Sequence, residues 1–233
     1  MNNNLLQIKI KQRLNKLASF DYDNIECWMI QEAFNKAQLE WVRRRLHGLN
    51  ASREASEQSV TIVDDVQILL TQVPLGRTIK DKFVESDSLP TNFLHFVRVS
   101  GNAKTECCPE RALFIYQAEE ANVDILLSDK FKSPSFDWSE TFCTIASDKI
   151  RLYTNNEFDI EDIKLTYYRL PRDVQFNGCT NISTGVVFRA DQTCELKEDI
   201  CEILADETAA ILAGDIESIT QYQRDTQNAQ RNS

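Results

Sequence analysis

The 233-residue sequence contains few residues that break regular structure and no long apolar run. It has only six glycines and five prolines, too few for a disordered or low-complexity chain. No stretch reaches the roughly 18 consecutive apolar residues that a membrane-spanning helix needs. Residues 1–5 lack the basic and apolar regions of a secretory signal. We therefore expect a soluble, cytosolic chain that buries its core as one large domain or as a domain with helical appendages.

Sequence signatures of catalysis are also missing. The two histidines, His47 and His95, lie outside any HExxH or nucleophile–base pattern, and no GxSxG, GxxxxGK[ST] or GxGxxG motif occurs. The adjacent carboxylates Asp64 and Asp65 are the one alternative, as a divalent-cation site, but adjacent acids in a turn more often face solvent. We therefore predict no catalytic residue, no bound metal and no cofactor.

The cysteines form an odd set without a CxxC pair. An odd number of unpatterned cysteines favours reduced thiols over a disulfide framework or a zinc site. We expect most of them to be small core residues. The seven positions are Cys27, Cys107, Cys108, Cys143, Cys179, Cys194 and Cys201.

Basic residues are too few for an anionic partner. The formal net charge of −10 disfavours tight binding to nucleic acid or to an acidic membrane surface. The charge is unevenly distributed, because residues 1–47 carry eight Lys and Arg against five Asp and Glu, a local sum of +3. Residues 190–233 carry three against ten, a local sum of −7. The two ends are therefore expected to attract each other, within one chain or between neighbouring copies.

Apolar residues recur at helical spacing near both ends of the chain. We predict a first helix over residues 5–17 and a second that ends near His47 and Gly48. A third helix near the C-terminal end has acidic first turns, which suit the helix dipole. The apolar positions of the three helices are Ile10, Leu14 and Leu17; Ile30, Phe34, Ala37 and Trp41; and Leu196, Ile200, Ile203, Leu204 and Ile211.

The middle of the chain consists of short β-branched or aromatic runs separated by turn residues. This pattern predicts a twisted antiparallel sheet or a small barrel. The predicted strands are residues 60–63, 66–70, 94–99, 112–116, 123–127, 142–145, 150–153 and 163–168.

Together these elements predict an α+β fold with an N-terminal helix pair, a central antiparallel β-rich domain and a long C-terminal helix. The predicted boundaries are 1–48 for the N-terminal helices, 49–59 for a linker and 60–170 for the β-rich domain. Residues 171–192 lack periodicity and are predicted to form an extended arm or loop, of the kind that is often functional. Residues 193–233 hold the C-terminal helix and a polar tail that either frays or orders on a partner.

Ten residues are candidates for contact with other chains. Three arginines end the second helix, where a solvated last turn is the alternative. Two tyrosines and an arginine end a strand before Pro171, types favoured at interface hot spots, although one Tyr in the core is an equally simple interpretation. The arm, the acidic helix and the tail supply the others. The candidates are Arg43, Arg44, Arg45, Tyr167, Tyr168, Arg169, Phe176, Glu198, Glu202 and Tyr222.

This order of elements resembles the head-to-tail connector or ring proteins of short-tailed double-stranded DNA bacteriophages, the tail tubular A class. It is most similar to those of crAss-like phages of gut Bacteroides. The resemblance rests on the helix pair around 5–47, the strand-rich middle closed by the sequence LTYYRLP at 165–171, and the segment 196–232 with ILADETAA at 203–210. It covers most of the chain as organisation.

The resemblance implies a virion structural protein without enzymatic activity, in a ring of about twelve copies under the portal. Its partners would be other copies, the portal, adjacent ring or tail proteins, and genomic DNA that passes without specific binding and without contact to a membrane. An acidic channel wall would let DNA slide, since it repels phosphates. A non-enzymatic interaction module of another assembly is the second interpretation. A metal-dependent hydrolase that uses Asp64, Asp65 and His95 is the third.

Overall fold

A computed structural model describes residues 1–14, 25–47, 64–105, 108–182, 184–215 and 227 of the chain. Its fold is of the α+β class, with a central β region and a long C-terminal helix, as the sequence predicts. The chain divides into two compact units. The helical unit combines Met1–Ile68 with Pro171–Ser233, and the β unit is Leu69–Leu170.

The helices are α1 (Asn3–Leu14), α2 (Cys27–His47), α3 (Val123–Ser128) and α4 (Glu198–Asp215). In the helical unit both α1 and α2 pack against α4. The apolar positions that predicted these helices form the contact, since Ile10, Leu14, Ile30, Phe34 and Ala37 are all completely buried. The predicted residues Leu17 and Gly48 lie outside the described residues, as does the predicted linker 49–59.

The β unit consists of two sheets. One has the strand order β1-β9-β4-β5, and the other has the order β2-β3-β8-β7-β6. Neighbouring strands of the described residues pair antiparallel, except β6 and β7, which run parallel. The strands are β1 (Leu70–Pro74), β2 (Arg77–Ile79), β3 (Phe83–Ser86), β4 (Phe93–Lys104), β5 (Arg111–Ala112), β6 (Phe114–Gln117), β7 (Glu140–Ala146), β8 (Lys149–Tyr153) and β9 (Asp159–Arg169).

The chain passes from one sheet to the other four times, between β1 and β2, β3 and β4, β5 and β6, and β8 and β9, and two of these connections are corners of only one or two residues. The first corner is residues 75–76, between β1 and β2, and the second is Leu113, between β5 and β6. Corners of this kind let two sheets share one core. Here the inward residues of both sheets form one apolar cluster. Its members include Val84, Val99, Ala103, Cys143, Ile150, Leu152, Ile160, Leu165 and Tyr167.

Most predicted strands are confirmed, but two apolar runs are helical instead. Residues 66–70 begin in a helical turn and a 3₁₀ turn, Gln67–Leu69, before β1 starts at Leu70. The buried residues there are Val66 and Leu69, three apart, whereas a strand would bury alternate positions. Residues 123–127 form α3, because Val123, Leu126 and Leu127 are half-buried at spacings of three and four. The predicted strand 60–63 lies outside the described residues.

Candidate interaction surfaces

Basic residues near the N-terminal end form ion pairs with acidic residues near the C-terminal end inside the helical unit. Lys9 pairs with Glu202, and Arg13 contacts Glu202 at 2.9 Å and Asp206 at 2.6 Å. The matching four-residue steps show that α1 and α4 run side by side in the same direction. Lys9 and Arg13 hold the pKa of Glu202 below its usual value, although partial burial raises it. Lys9 and Arg13 of the basic helix are therefore paired with the acidic helix within one chain, and Glu202 has its ion-pair partners there.

The three arginines at the end of α2 have three different surroundings. Arg43 is exposed to solvent. Arg44 pairs with Glu207, whose side chain is only 7% exposed. Arg45 lies over the ring of Trp41, 5.0 Å from its centroid, in a cation–π contact. Arg44 and Arg45 thus stabilise their own unit, and Arg43 alone keeps the predicted surface position.

Residues 171–196, the connecting segment, pack on the helices of the same chain. Asn3 donates its side-chain amide to the Gln175 carbonyl at 2.8 Å and to Asp191 at 3.1 Å. On α2, the Asn35 side-chain oxygen (Oδ1) accepts a bond from the Val174 N–H at 2.8 Å. Because polar side chains of α1 and α2 satisfy its backbone, the segment has its partners without a second chain. The predicted arm is therefore bound to its own body in this structure.

The connecting segment folds back on itself as well. Antiparallel bridges join Gln175 to Gln192 and Thr180 to Val187. The Phe176 side chain is 1% exposed, and its N–H donates to Gln31 on α2 at 3.2 Å. Phe176 was predicted as an interface residue, and this burial shows that it is a core residue of the helical unit.

A disulfide bond joins Cys27, at the start of α2, to Cys179 in the connecting segment, with a Cα–Cα distance of 5.9 Å. The prediction of reduced thiols is wrong for this pair. The two cysteines are 152 residues apart in sequence, so no local spacing could reveal them. The bond adds a covalent tie to the hydrogen bonds between the segment and α2.

Both tyrosines of the strand end that was predicted as a hot spot are buried, and Tyr167 belongs to the apolar core of the β unit. Tyr167 is 2% exposed and Tyr168 is 8% exposed. The Tyr167 hydroxyl donates to the Asn92 side-chain oxygen at 2.8 Å, and burial raises the pKa of Tyr168. Arg169 is half-buried and donates to the Leu170 carbonyl at 3.2 Å. The alternative interpretation, a Tyr in the core, is the one that the structure supports.

The remaining two candidates have different positions. Glu198 begins α4 with its side chain 73% exposed, 3.9 Å from the Met1 ammonium group. It keeps a surface that a partner can reach. Tyr222 lies outside the described residues.

The β unit carries an aromatic surface that the sequence analysis missed. Phe131 is 91% exposed and Trp138 is 82% exposed. They line one cleft of about 450 Å³, together with Lys130, Glu140 and Glu157. We call Phe131 and Trp138 the aromatic patch. Isolated aromatic residues within the polar turn sequence of 128–140 were the signal that could have identified it.

Short turns hold the aromatic patch outward. The Phe131 N–H donates to the Asp129 carboxylate at 2.9 Å. Ser135 and Glu140 exchange two backbone hydrogen bonds, of 3.0 and 3.2 Å, on either side of Trp138. Side chains this large and this exposed typically mark a contact site. The patch is therefore a candidate surface for contact with another molecule.

Residues weighed for metal chemistry have other partners. Asp65 accepts a bond from Lys197 at 2.9 Å, and His95 lies beside Tyr168 with ring centroids 6.5 Å apart. Within the described ranges, no three or more His, Cys, Asp and Glu side chains gather as metal ligands. In those same ranges no helix has both the length and the apolar character that crossing a bilayer requires.

The chain matches no protein-family model, and a search of curated proteins finds no similar sequence. The resemblance to phage connector proteins therefore rests on the organisation of the sequence alone.

Proposed function

We propose that this protein is a non-enzymatic structural component of a phage virion, which forms a ring in the neck between portal and tail. The observation that carries the proposal is the aromatic patch, a pair of exposed aromatic side chains on the β unit. Leaving such side chains in water is unfavourable unless a partner covers them. The α+β organisation that resembles connector proteins supplies the kind of partner, a neighbouring copy of the same chain.

The ring contact that we propose differs from the one that the charges first suggested. Lys9 and Arg13 already pair with Glu202 and Asp206 within one chain, so these charges are not available to a neighbour. A ring contact is heterologous, since one patch meets a different patch on the next copy. We therefore assign one side of that contact to Phe131 and Trp138. An apolar contact of this kind is expected to persist at high salt, whereas a contact between the charged helices would weaken.

The first experiment measures particle mass. Twelve copies of a 26.8 kDa chain give about 320 kDa, and imaging of the same sample would show closed rings. If the chain stays a monomer or dimer, both alone and with a portal protein, the ring proposal is refuted and an interaction module of another assembly is favoured.

The second experiment tests the patch. F131S/W138S is expected to shift the mass to that of single chains, with unchanged far-ultraviolet circular dichroism. The matched control is I79S, which removes another exposed apolar side chain, 62% exposed on β2, and should leave the ring intact. If F131S/W138S assembles as well as the unaltered chain, the patch is not the contact.

A further inference from the structure

A hairpin in the middle of the connecting segment projects from the helical unit. The Phe188 N–H donates to the Cys179 carbonyl at 2.9 Å and closes the base of this hairpin. The disulfide bond from Cys179 to Cys27 joins the base to α2. The far end of the hairpin is therefore presented from a base that is covalently attached to the helical unit.

Polar groups close the turn at the end of the hairpin. The Asn181 side-chain oxygen accepts a bond from the Thr184 N–H at 3.1 Å, and the Asn181 carbonyl accepts one from the Gly185 N–H at 2.8 Å. Gly185 has a φ of +68°, which lies in the left-handed region that glycine adopts without steric cost. The turn thus depends on backbone and amide groups, and not on the aliphatic side chains around it.

Those aliphatic side chains are exposed. Ile182 is 55% exposed, Val186 is 61% exposed and Val187 is 49% exposed. We call these three residues the aliphatic tip. A solvated turn is normally built from small polar residues, whereas exposed apolar side chains gathered at one place typically mark a contact with another molecule. The composition of the tip therefore indicates a surface that a partner covers.

The charges beside the aliphatic tip and beside the aromatic patch are of opposite sign. Arg189 is the only charged residue of the sequence 178–190, and it is exposed and makes no ion pair with the described residues. The cleft of the aromatic patch is lined by Glu140 and Glu157 against one basic residue, Lys130. Both carboxylates are exposed and lack an ion-pair partner within the described ranges.

We propose that the aliphatic tip of one copy covers the aromatic patch of the next copy, with Arg189 facing Glu140 and Glu157. This inference rests on the proposed function, because it names the second side of the ring contact. The tip belongs to the helical unit and the patch to the β unit. Each copy therefore carries one surface of each kind, as a heterologous contact requires.

Charge decides between this pairing and a contact of like surfaces. Two aromatic patches facing each other would bring two acidic clefts together, and two aliphatic tips would bring together two copies of Arg189. Like charges placed opposite each other oppose association. A tip on a patch covers both apolar surfaces and places the Arg189 guanidinium beside carboxylates, so it is the pairing that the charges favour.

The first experiment mixes two complementary variants and measures mass by sedimentation. V186S/V187S removes the tip and keeps the patch, whereas F131S/W138S removes the patch and keeps the tip. Each variant alone is expected to remain a single chain of 26.8 kDa. Their equal mixture should form pairs of about 54 kDa, twice that mass, through the one intact tip and the one intact patch. The matched control is I8S, which removes a 52% exposed side chain from α1 and should assemble like the unaltered chain.

The second experiment exchanges the charges. R189E should weaken self-association about tenfold, because it places a third carboxylate beside Glu140 and Glu157. E140K/E157K should weaken it in the same way, and R189E/E140K/E157K on one chain should restore it. R43E is the matched control, since it changes the net charge as R189E does, at an exposed position of α2. Equal weakening by R43E and R189E, or no recovery in the combined variant, would overturn the assignment of Arg189.

Failure of this contact and failure of the ring give different results. If V186S/V187S keeps native circular dichroism and still assembles into rings, the tip is not the contact and the ring stands. Dimers of V186S/V187S alone would show that patch meets patch, and a mixture without pairs would also overturn the pairing. If assembly needs both surfaces but imaging shows open chains of copies, the contact stands and the ring is refuted. An unaltered chain that never self-associates refutes both.

Discussion

Removing the guanidinium of Arg44 should destabilise the helical unit, and removing the Glu207 charge should restore it. Glu207 is 6% exposed on α4, and the Arg44 side chain, 36% exposed, is its ion-pair partner. Burial raises the pKa of Glu207, although Arg44 opposes that shift. The carboxylate is therefore tolerated in the fold only because Arg44 is beside it.

The size of the effect follows from this unequal burial. Losing one partner of a buried ion pair costs about 3–5 kcal/mol, whereas replacing both is often neutral. Because the site of Arg44 is reached by water, solvent can stabilise part of the Glu207 charge when Arg44 is removed. We therefore expect R44A to lower the free energy of unfolding by about 2 kcal/mol. E207Q alone should change stability by less than about 1 kcal/mol. R44A/E207Q should be more stable than R44A, because no unpaired charge remains in the core.

The cost of R44A should also depend on pH. A carboxyl group whose pKa is raised by folding weakens the fold when it ionises, so this penalty is present above its folded pKa. The penalty disappears below about pH 4.3, the usual value of an unfolded Glu, because the group is then protonated in both states. The difference between R44A and the unaltered chain should therefore shrink as pH falls from 7.5 to about 4.

Urea unfolding followed by tryptophan fluorescence measures these changes. In a W138F background the remaining tryptophans, Trp28 and Trp41, both lie on α2 and report on the helical unit. R43A is the matched control, since Arg43 is the exposed neighbour, and it should stay within about 0.5 kcal/mol of the background chain. The reasoning fails if R44A costs no more than R43A, or if E207Q does not recover the loss in the double variant.

Three further predictions concern other contacts. E202Q should lower the free energy of unfolding by about 1 kcal/mol at pH 7. Because folding lowers the pKa of Glu202, this difference should vanish as pH falls through the folded pKa of that group. Urea unfolding measures the difference, with E198Q at an exposed position as control. C27S/C179S should lower the free energy of unfolding by as much as about 5 kcal/mol, the loop-entropy value for 152 residues. The prediction is contradicted if neither this variant nor the unaltered chain in reductant unfolds at a lower urea concentration than the unaltered chain without reductant. Y167F should lower the free energy of unfolding by about 1 kcal/mol, because it removes the hydrogen bond to Asn92, and it should leave the particle mass unchanged. A lower particle mass would show that Tyr167 contributes to the contact between copies.

The sequence predicted those elements whose periodicity coincides with burial. Ile30, Phe34 and Ala37 share one helical face, and the same residues are completely buried. The run at 163–168 lies within β9, in the centre of a sheet. The strand prediction for the short run 123–127 was wrong, because a run of only five residues fits the apolar pattern of a helical turn and that of a strand almost equally well.

The candidate surface was harder to predict because exposure depends on contacts that are distant in sequence. Tyr167 and Trp138 are similar residue types, yet one lies in the core and the other is 82% exposed. The difference is set by the packing of two sheets, which no local pattern encodes. The prediction of an extended arm at 171–192 was wrong for a related reason. Its partners, such as Asn3, lie as many as 189 residues away.

The helical unit is assembled from two stretches of chain that a ribosome makes far apart in time. Residues 69–170 are contiguous, so the β unit has all its strands before the connecting segment is made. Asn3 and Lys9, in contrast, must wait for Asp191 and Glu202 before their contacts exist. During synthesis α1 and α2 therefore emerge with their apolar faces uncovered. The β unit can reach its native state first, and the N-terminal helices are completed only by the end of translation.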